Sequence, residues 1–156
     1  MNNFTELQAK AKRSWNGLVA GPVPAIYVGA GTCGLAAGAL DVLQAVKEVL
    51  AAHRLEARVV PVGCIGPCYL EPLLDVQLPG RPRISYAGVD PPRARRIVES
   101  LLVRGDPLPE LACGHFGANG DSLTAGIPLF FPLRPARPTR RPCPRHRHRP
   151  RRRLRW

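Results

Sequence analysis

Acidic residues are few in this 156-residue chain and lysines fewer: 11 Asp+Glu stand against 23 Lys+Arg, and Lys10, Lys12 and Lys47 are the only lysines. Aromatic residues make up 6%. No apolar run approaches the roughly 18 to 20 residues that span a bilayer. The first turns of the chain lack the basic start, apolar middle and small-residue cleavage site of a secretory signal, so the expected location is cytoplasmic. No two cysteines enclose two residues, which argues against dithiol oxidoreductase chemistry, and the paired spacing of a zinc ribbon is missing as well. No internal repeat is found. The length suits one domain of about 100 to 150 residues with a remainder, and excludes an enzyme with separate cofactor and substrate domains.

The formal charge of +12 suggests a polyanion partner such as nucleic acid. Its distribution argues otherwise. Residues 1–131 hold 12 basic residues and all 11 acids, a net of +1, whereas residues 132–156 hold 11 Arg, six Pro, two His and no acid. The near-neutral body is therefore the part that can fold. The segment 132–156 cannot bury a core and is expected to be disordered.

Within the body, residues 4–19 predict a short amphipathic helix with Trp15 and Leu18 on its buried side, stopped at Gly21-Pro22. Residues 23–28 form a short apolar, β-branched run closed by Gly29-Ala30-Gly31, the pattern of a buried strand. From Leu35 the apolar positions Ala39, Val42, Leu43, Val46, Val49 and Leu50 recur at helical spacing, predicting a helix to about His53. Residues 57–62 give a second strand. Two more follow at 73–77 and 83–86, and Asp90 caps a last helix that begins at Pro91 or Pro92 and ends at Gly105. The fold class is α/β, in the order (α)βαβββα. Its strand–helix–strand unit makes strands one and two parallel, with their ends at one sheet edge. The loop holding Cys33 and the loop holding Cys64 and Cys68 then lie side by side, and three thiols converge.

Cys33 stands just before a predicted helix start, where backbone N–H groups stabilise negative charge on sulfur. Cys64 and Cys68 enclose Ile65-Gly66-Pro67, a tight loop able to turn both sulfurs to one point. Thiolates from separate loops near a surface suit an iron–sulfur cluster. The competing reading is that cysteines pack as small apolar groups, which fits isolated Cys113 and Cys143 better than these three. Gly29, Gly31 and Gly34 fall at the spacing of a dinucleotide-binding loop, but Cys33 intrudes and no acid ends the second strand. Tyr69 and Trp15 are read as core or interface aromatics.

The segments Ile26-Tyr27-Val28-Gly29, Gly31-Thr32-Cys33-Gly34, Ala36-Ala37-Gly38-Ala39, Gly63-Cys64-Ile65-Gly66-Pro67-Cys68, Glu71-Pro72-Leu73 and Ile84-Ser85-Tyr86 resemble the thioredoxin-like 2Fe-2S ferredoxin domain. The likeness is to the version at the N-terminus of the NADH-oxidising flavoprotein subunit of complex I, NAD-linked hydrogenases and formate dehydrogenases. It covers residues 4–110. The resemblance implies a thioredoxin-like fold over 22–110, a 2Fe-2S cluster with Cys33, Cys64 and Cys68 as metal ligands, and electron transfer or an accessory role. It also implies the other subunits of such a complex as partners, through which the chain would sit on the inner face of the membrane. Full sites in that family carry a further cysteine five positions after the first, where this chain has Gly38. The site would recruit Cys113, His115 or a partner's residue, or hold no cluster and serve as a docking module. A basic nucleic-acid-binding protein is the third reading.

Residues 111–131 read as a linker followed by the start of an FMN- and NADH-binding domain, with Gly126-Ile127-Pro128-Leu129-Phe130-Phe131 as its opening. FMN and NAD would belong to a full-length parent, so the chain alone is not expected to oxidise NADH. Arg and Pro without Lys is what a GC-rich gene yields out of frame, and residues 132–156 are read as a frameshifted or truncated continuation.

Overall fold

The computed structural model describes residues 3–19, 21–117 and 120–130. The Arg/Pro-rich segment 132–156 and Cys143 lie outside them. Helix α1 (Asn3–Val19) comes first, followed by strand β1 (Ala25–Gly29), the short helix α2 (Thr32–Ala36), helix α3 (Ala39–Ala52) and strand β2 (Arg58–Val62). Strands β3 (Leu74–Gln77) and β4 (Arg83–Tyr86), helix α4 (Pro91–Glu99) and strand β5 (Ala112–Phe116) complete the set. The five strands make one mixed sheet in the order β2-β1-β3-β4-β5. Only β1 and β2 are parallel; the other pairs are antiparallel.

Alternation along the strands decides the layers. Ile26 and Val28, Leu74 and Val76, Ile84 and Tyr86 all point to one face, where Val42, Ala45 and Val46 of α3 and Ala94, Ile97 and Val98 of α4 meet them. Each fully buried Val, Ile or Leu contributes about 1.5 to 3 kcal/mol, so this layer dominates stability. Helix α4 starts where the sequence signals it: the Asp90 carboxylate accepts the Arg93 N–H at 2.8 Å and prolines occupy the first turn. The helix widens into a π turn over Ser100–Arg104 and ends at Gly105, whose φ of +72° is left-handed.

The structure departs from the sequence reading in three places. The helix expected from Leu35 is interrupted at Ala37-Gly38, because Gly38 adopts φ +99° and caps a new helix, α3. Residues 112–116, read as the start of a linker, pair with the free edge of β4, and His115 bridges on to Leu129. Trp15 is 63% exposed rather than inward. Phe4 and Leu7 of α1 are exposed as well, and among its described side chains Ala9, Gly17 and Leu18 are half-buried. No helix among the described residues is long and apolar enough to cross a membrane.

Candidate metal centre

Because β1 and β2 run parallel, the loops that follow them leave the sheet at the same edge. Cys33 is the second residue of α2, directly after β1; Cys64 follows β2, and Cys68 opens a short 3-10 turn, Cys68–Leu70. Their three sulfurs lie within 4.8 Å of one another, the one such group of potential metal ligands among the described residues. Cys64 and Cys68 Sγ are 3.4 Å apart. Both are exposed, and Cys33 is half-buried.

The Gly66 N–H donates to Cys64 Sγ at 3.3 Å. This bond, with those to Cys33 and Cys68, lowers the Cys64 pKa. Cys68 moves the other way, pushed up to about 11 by hydrogen bonding to Cys64 and then Cys33. Adjacent sulfurs cannot all carry negative charge without a cation, so the triad by itself retains a proton, and a bound metal would displace it.

Beneath the sulfurs sits Glu71, only 9% exposed. Its Oε1 is 4.0 Å from Cys33 Sγ and its Oε2 accepts the Leu73 N–H at 2.8 Å. A Cβ on Gly29 would lie 2.3 Å from that carboxylate, and one on Gly34 only 2.1 Å from the Gly29 carbonyl oxygen. Of the glycines that look like a nucleotide loop in the sequence, Gly29 and Gly34 allow close packing of α2, β1 and Glu71, and Gly31 allows close approach of Cys64, whose backbone N would lie 2.8 Å from a Cβ there. Sequence reasoning passed over Glu71 as a site residue; an acid next to proline inside an apolar stretch was the available signal.

The other proposed ligands stand elsewhere. Cys113 lies on β5, three strands from β1, or about 14 Å at the usual strand spacing. Its thiol donates to the Ser85 carbonyl at 3.2 Å, and burial first, then Asp75, pushes its pKa up to about 11. His115 is buried on the same strand. Neither joins the triad, so topology sets aside both residues that the sequence offered as a fourth ligand within the body. Tyr69, at 85% exposure, is not a core residue. Leu35, Leu40 and Ile65 are exposed as well.

The donor set fits a 2Fe-2S cluster in part. Two thiolates on one tetrahedral ion stand about 3.8 Å apart for metal–sulfur bonds of about 2.3 Å, close to the Cys64–Cys68 spacing. Cys33 enters from the separate loop, and Gly38, where the family resemblance expects a further cysteine, has open space around it for a side chain.

On the sheet face away from α3 and α4, the Arg83 guanidinium lies over the Phe116 ring at 4.3 Å and the Tyr27 ring at 5.1 Å, and its Nε is 3.4 Å from Asp75 Oδ2. Arg83, Phe116 and Tyr27 line an open groove of about 670 Å³ together with Trp15. Burial raises the Asp75 pKa above the ordinary 3.8, while Ser85 and Arg83 pull it back. The folded state thus holds this proton more tightly than the unfolded chain. The stabilising contribution is full below 3.8 and is lost as pH rises through the raised folded value. Asp75→Asn is expected to flatten that fall in a pH series of urea midpoints; parallel curves for the two proteins would mean that Ser85 and Arg83 fully offset burial.

No family model matches the chain. It is 32% identical over 84 residues to the NADP-reducing hydrogenase subunit HndB of Solidesulfovibrio fructosivorans, a match covering 53% of this chain and 67% of that one. Among solved structures, a thioredoxin-like 2Fe-2S ferredoxin from Aquifex aeolicus superposes with a TM-score of 0.52 at 21% identity, over 64% of this chain and 97% of that one. The wild-type ferredoxin of the same organism, at 1.5 Å resolution, gives 0.50 at 24% identity, over 58% and 95%. The structural likeness shows the thioredoxin-like ferredoxin fold, and the sequence match places this chain in the family of the hydrogenase subunit HndB.

Proposed function

We propose that the chain is a 2Fe-2S electron-transfer or accessory domain, with Cys33, Cys64 and Cys68 as cluster ligands, working among the subunits of a hydrogenase or an NADH-dehydrogenase-type complex. The observation that carries this reading is the convergence of three sulfurs within 4.8 Å at the exposed end of β1 and β2. Had the cysteines been packing residues they would be buried, yet Cys64 and Cys68 face solvent. When bound, such a cluster accepts and releases one electron, at a potential tuned by hydrogen bonds to its sulfurs. The chain's own part is to hold the thiolates: the Gly66 N–H stabilises charge on Cys64, and α2, seated on β1 through Gly34, fixes Cys33.

The fourth ligand would come from outside the body, from a partner subunit or an exogenous thiol. The N-terminal position in a flavoprotein subunit, the FMN domain beyond residue 131 and the frameshifted continuation belong to the same proposal. Translating the other frames past codon 131 tests the last of these, and finding no flavin-domain continuation there would remove it.

Anaerobic incubation with iron, sulfide and a small thiol is the direct test. We expect visible absorbance and two irons per chain, lost in each of the Cys33→Ser, Cys64→Ser and Cys68→Ser variants. A colourless, iron-free product from the unsubstituted chain would instead favour a cluster-free docking module, the reading that Gly38 supports. Gly38→Cys is expected to retain the cluster longer in air. It is also expected to lower folding stability by about 1 to 2 kcal/mol in urea, because Gly38 sits at φ +99°, where side chains are strained.

A further inference from the structure

We propose that in the cluster-free chain Cys64 and Cys68 close into a reversible disulfide within their own loop, a covalent gate on the three-thiol site. Their sulfurs already stand 3.4 Å apart, and a disulfide bond is about 2.05 Å long, so only a small closing movement remains. The loop can make it. Gly66 carries φ +120° with open space around it, Gly63 is also unobstructed, and both cysteines are exposed to a soluble oxidant. Cys33 has less freedom: it is half-buried in α2, with Glu71 4.0 Å from its sulfur.

The oxidant is a low-molecular-weight disulfide such as glutathione disulfide. The Cys64 sulfur, to which the Gly66 N–H donates, attacks one glutathione sulfur; that S–S bond breaks and one glutathione thiol leaves. The neighbouring Cys68 sulfur then attacks the Cys64 sulfur of the mixed disulfide, and the second glutathione leaves with the remaining proton. Two protein thiols are oxidised, and one disulfide is reduced to two thiols. The effect on cluster loading rests on the proposed function: the bond withdraws two of the three ligands, so iron cannot be held until a reductant reopens it.

The test uses the full chain, reduced and iron-free, incubated anaerobically with glutathione disulfide and then alkylated and digested with trypsin. Cys64 and Cys68 share the peptide 59–83, while Cys33 lies in 14–47. We expect peptide 59–83 to become about 2 Da lighter and its alkylation to fall at least about tenfold, in the unsubstituted chain and in Cys33→Ser alike. Cys68→Ser should instead keep glutathione on Cys64. Cross-linking of 14–47 to 59–83, lasting glutathione adducts on the unsubstituted chain, or undiminished alkylation would each overturn the proposal. Iron, sulfide and one equivalent of a small thiol, too little to reopen the bond, are then offered briefly to oxidised and phosphine-reduced samples. Colour in the reduced sample alone supports the gate, and equal colour in both refutes it. A reduced sample that stays colourless while peptide 59–83 is bridged rejects the cluster reading and leaves the disulfide supported.

Discussion

Gly34→Ala is expected to cost about 3 kcal/mol of folding stability and to displace Cys33 from its two partners. The added Cβ would lie 2.1 Å from the Gly29 carbonyl oxygen and 2.8 Å from its carbon, with Glu71 Oε2 at 3.2 Å. Two of these three atoms are backbone of β1, so no rotamer change relieves the clash. Helix α2 must lift from the strand, carrying the adjacent Cys33 with it. A shift of this size lowers the melting temperature by roughly 12 °C or more in a domain of this length. Gly63→Ala is the matched control. Its Cβ would meet nothing within 4 Å and its φ is ordinary, so it should stay within about 0.5 kcal/mol of the unsubstituted chain. Urea unfolding reads both. If Gly34→Ala matched the control, α2 would not be seated on β1 through Gly34, and the placement of Cys33 would fall with it.

Leu74→Ala is expected to cost about 3 kcal/mol through the cavity it leaves. Leu74 is fully buried at the start of β3, in register with Val28 on one side and Tyr86 on the other, so neighbouring strands hold the space open. The loss reaches the three-cysteine site as well. The residue before it, Leu73, accepts the Gly29 N–H at 2.9 Å and gives its own N–H to Glu71, tying the floor of the site to β3. Leu74→Met, similar in volume, should lose less than about 1.5 kcal/mol. Calorimetry of the two variants, followed by their iron content after reconstitution, checks the effect. A Leu74→Ala protein as stable as Leu74→Met would contradict the pairing of Leu74 with Val28 and Tyr86 across the sheet.

Much of this architecture could be read from residue order, because the burial it depends on is periodic. Strands β1 to β4, helix α3 and helix α4 with its Asp90 cap and Gly105 stop follow from alternation and helical spacing. The convergence of the two cysteine loops follows from the handedness of one strand–helix–strand crossover. Strand β5 carries no such signal. Ala112, Cys113 and Gly114 have no β-branched side chain to mark a strand, and what recruits them is the unpaired edge of β4. Gly114 is required there because a Cβ would meet the backbone of Phe130 at 2.5 Å, a contact between segments 16 residues apart. Trp15 misled for the same reason: an apolar helix face says nothing about whether anything packs on it.

The residue types at the centre were thus legible and their environment was not. Residue order alone indicates that an α/β body of nearly neutral charge brings Cys33, Cys64 and Cys68 to one edge, while a fourth thiolate missing at Gly38 is what the family resemblance implies. Packing between separate elements puts Glu71 against Gly29 and Gly34, and puts Cys113 and His115 on a distant strand. It also decides that the Cys64 and Cys68 sulfurs approach to 3.4 Å at an exposed surface. Local periodicity encodes which face of an element is buried, whereas distances between side chains depend on how separate elements pack, and no local pattern records that.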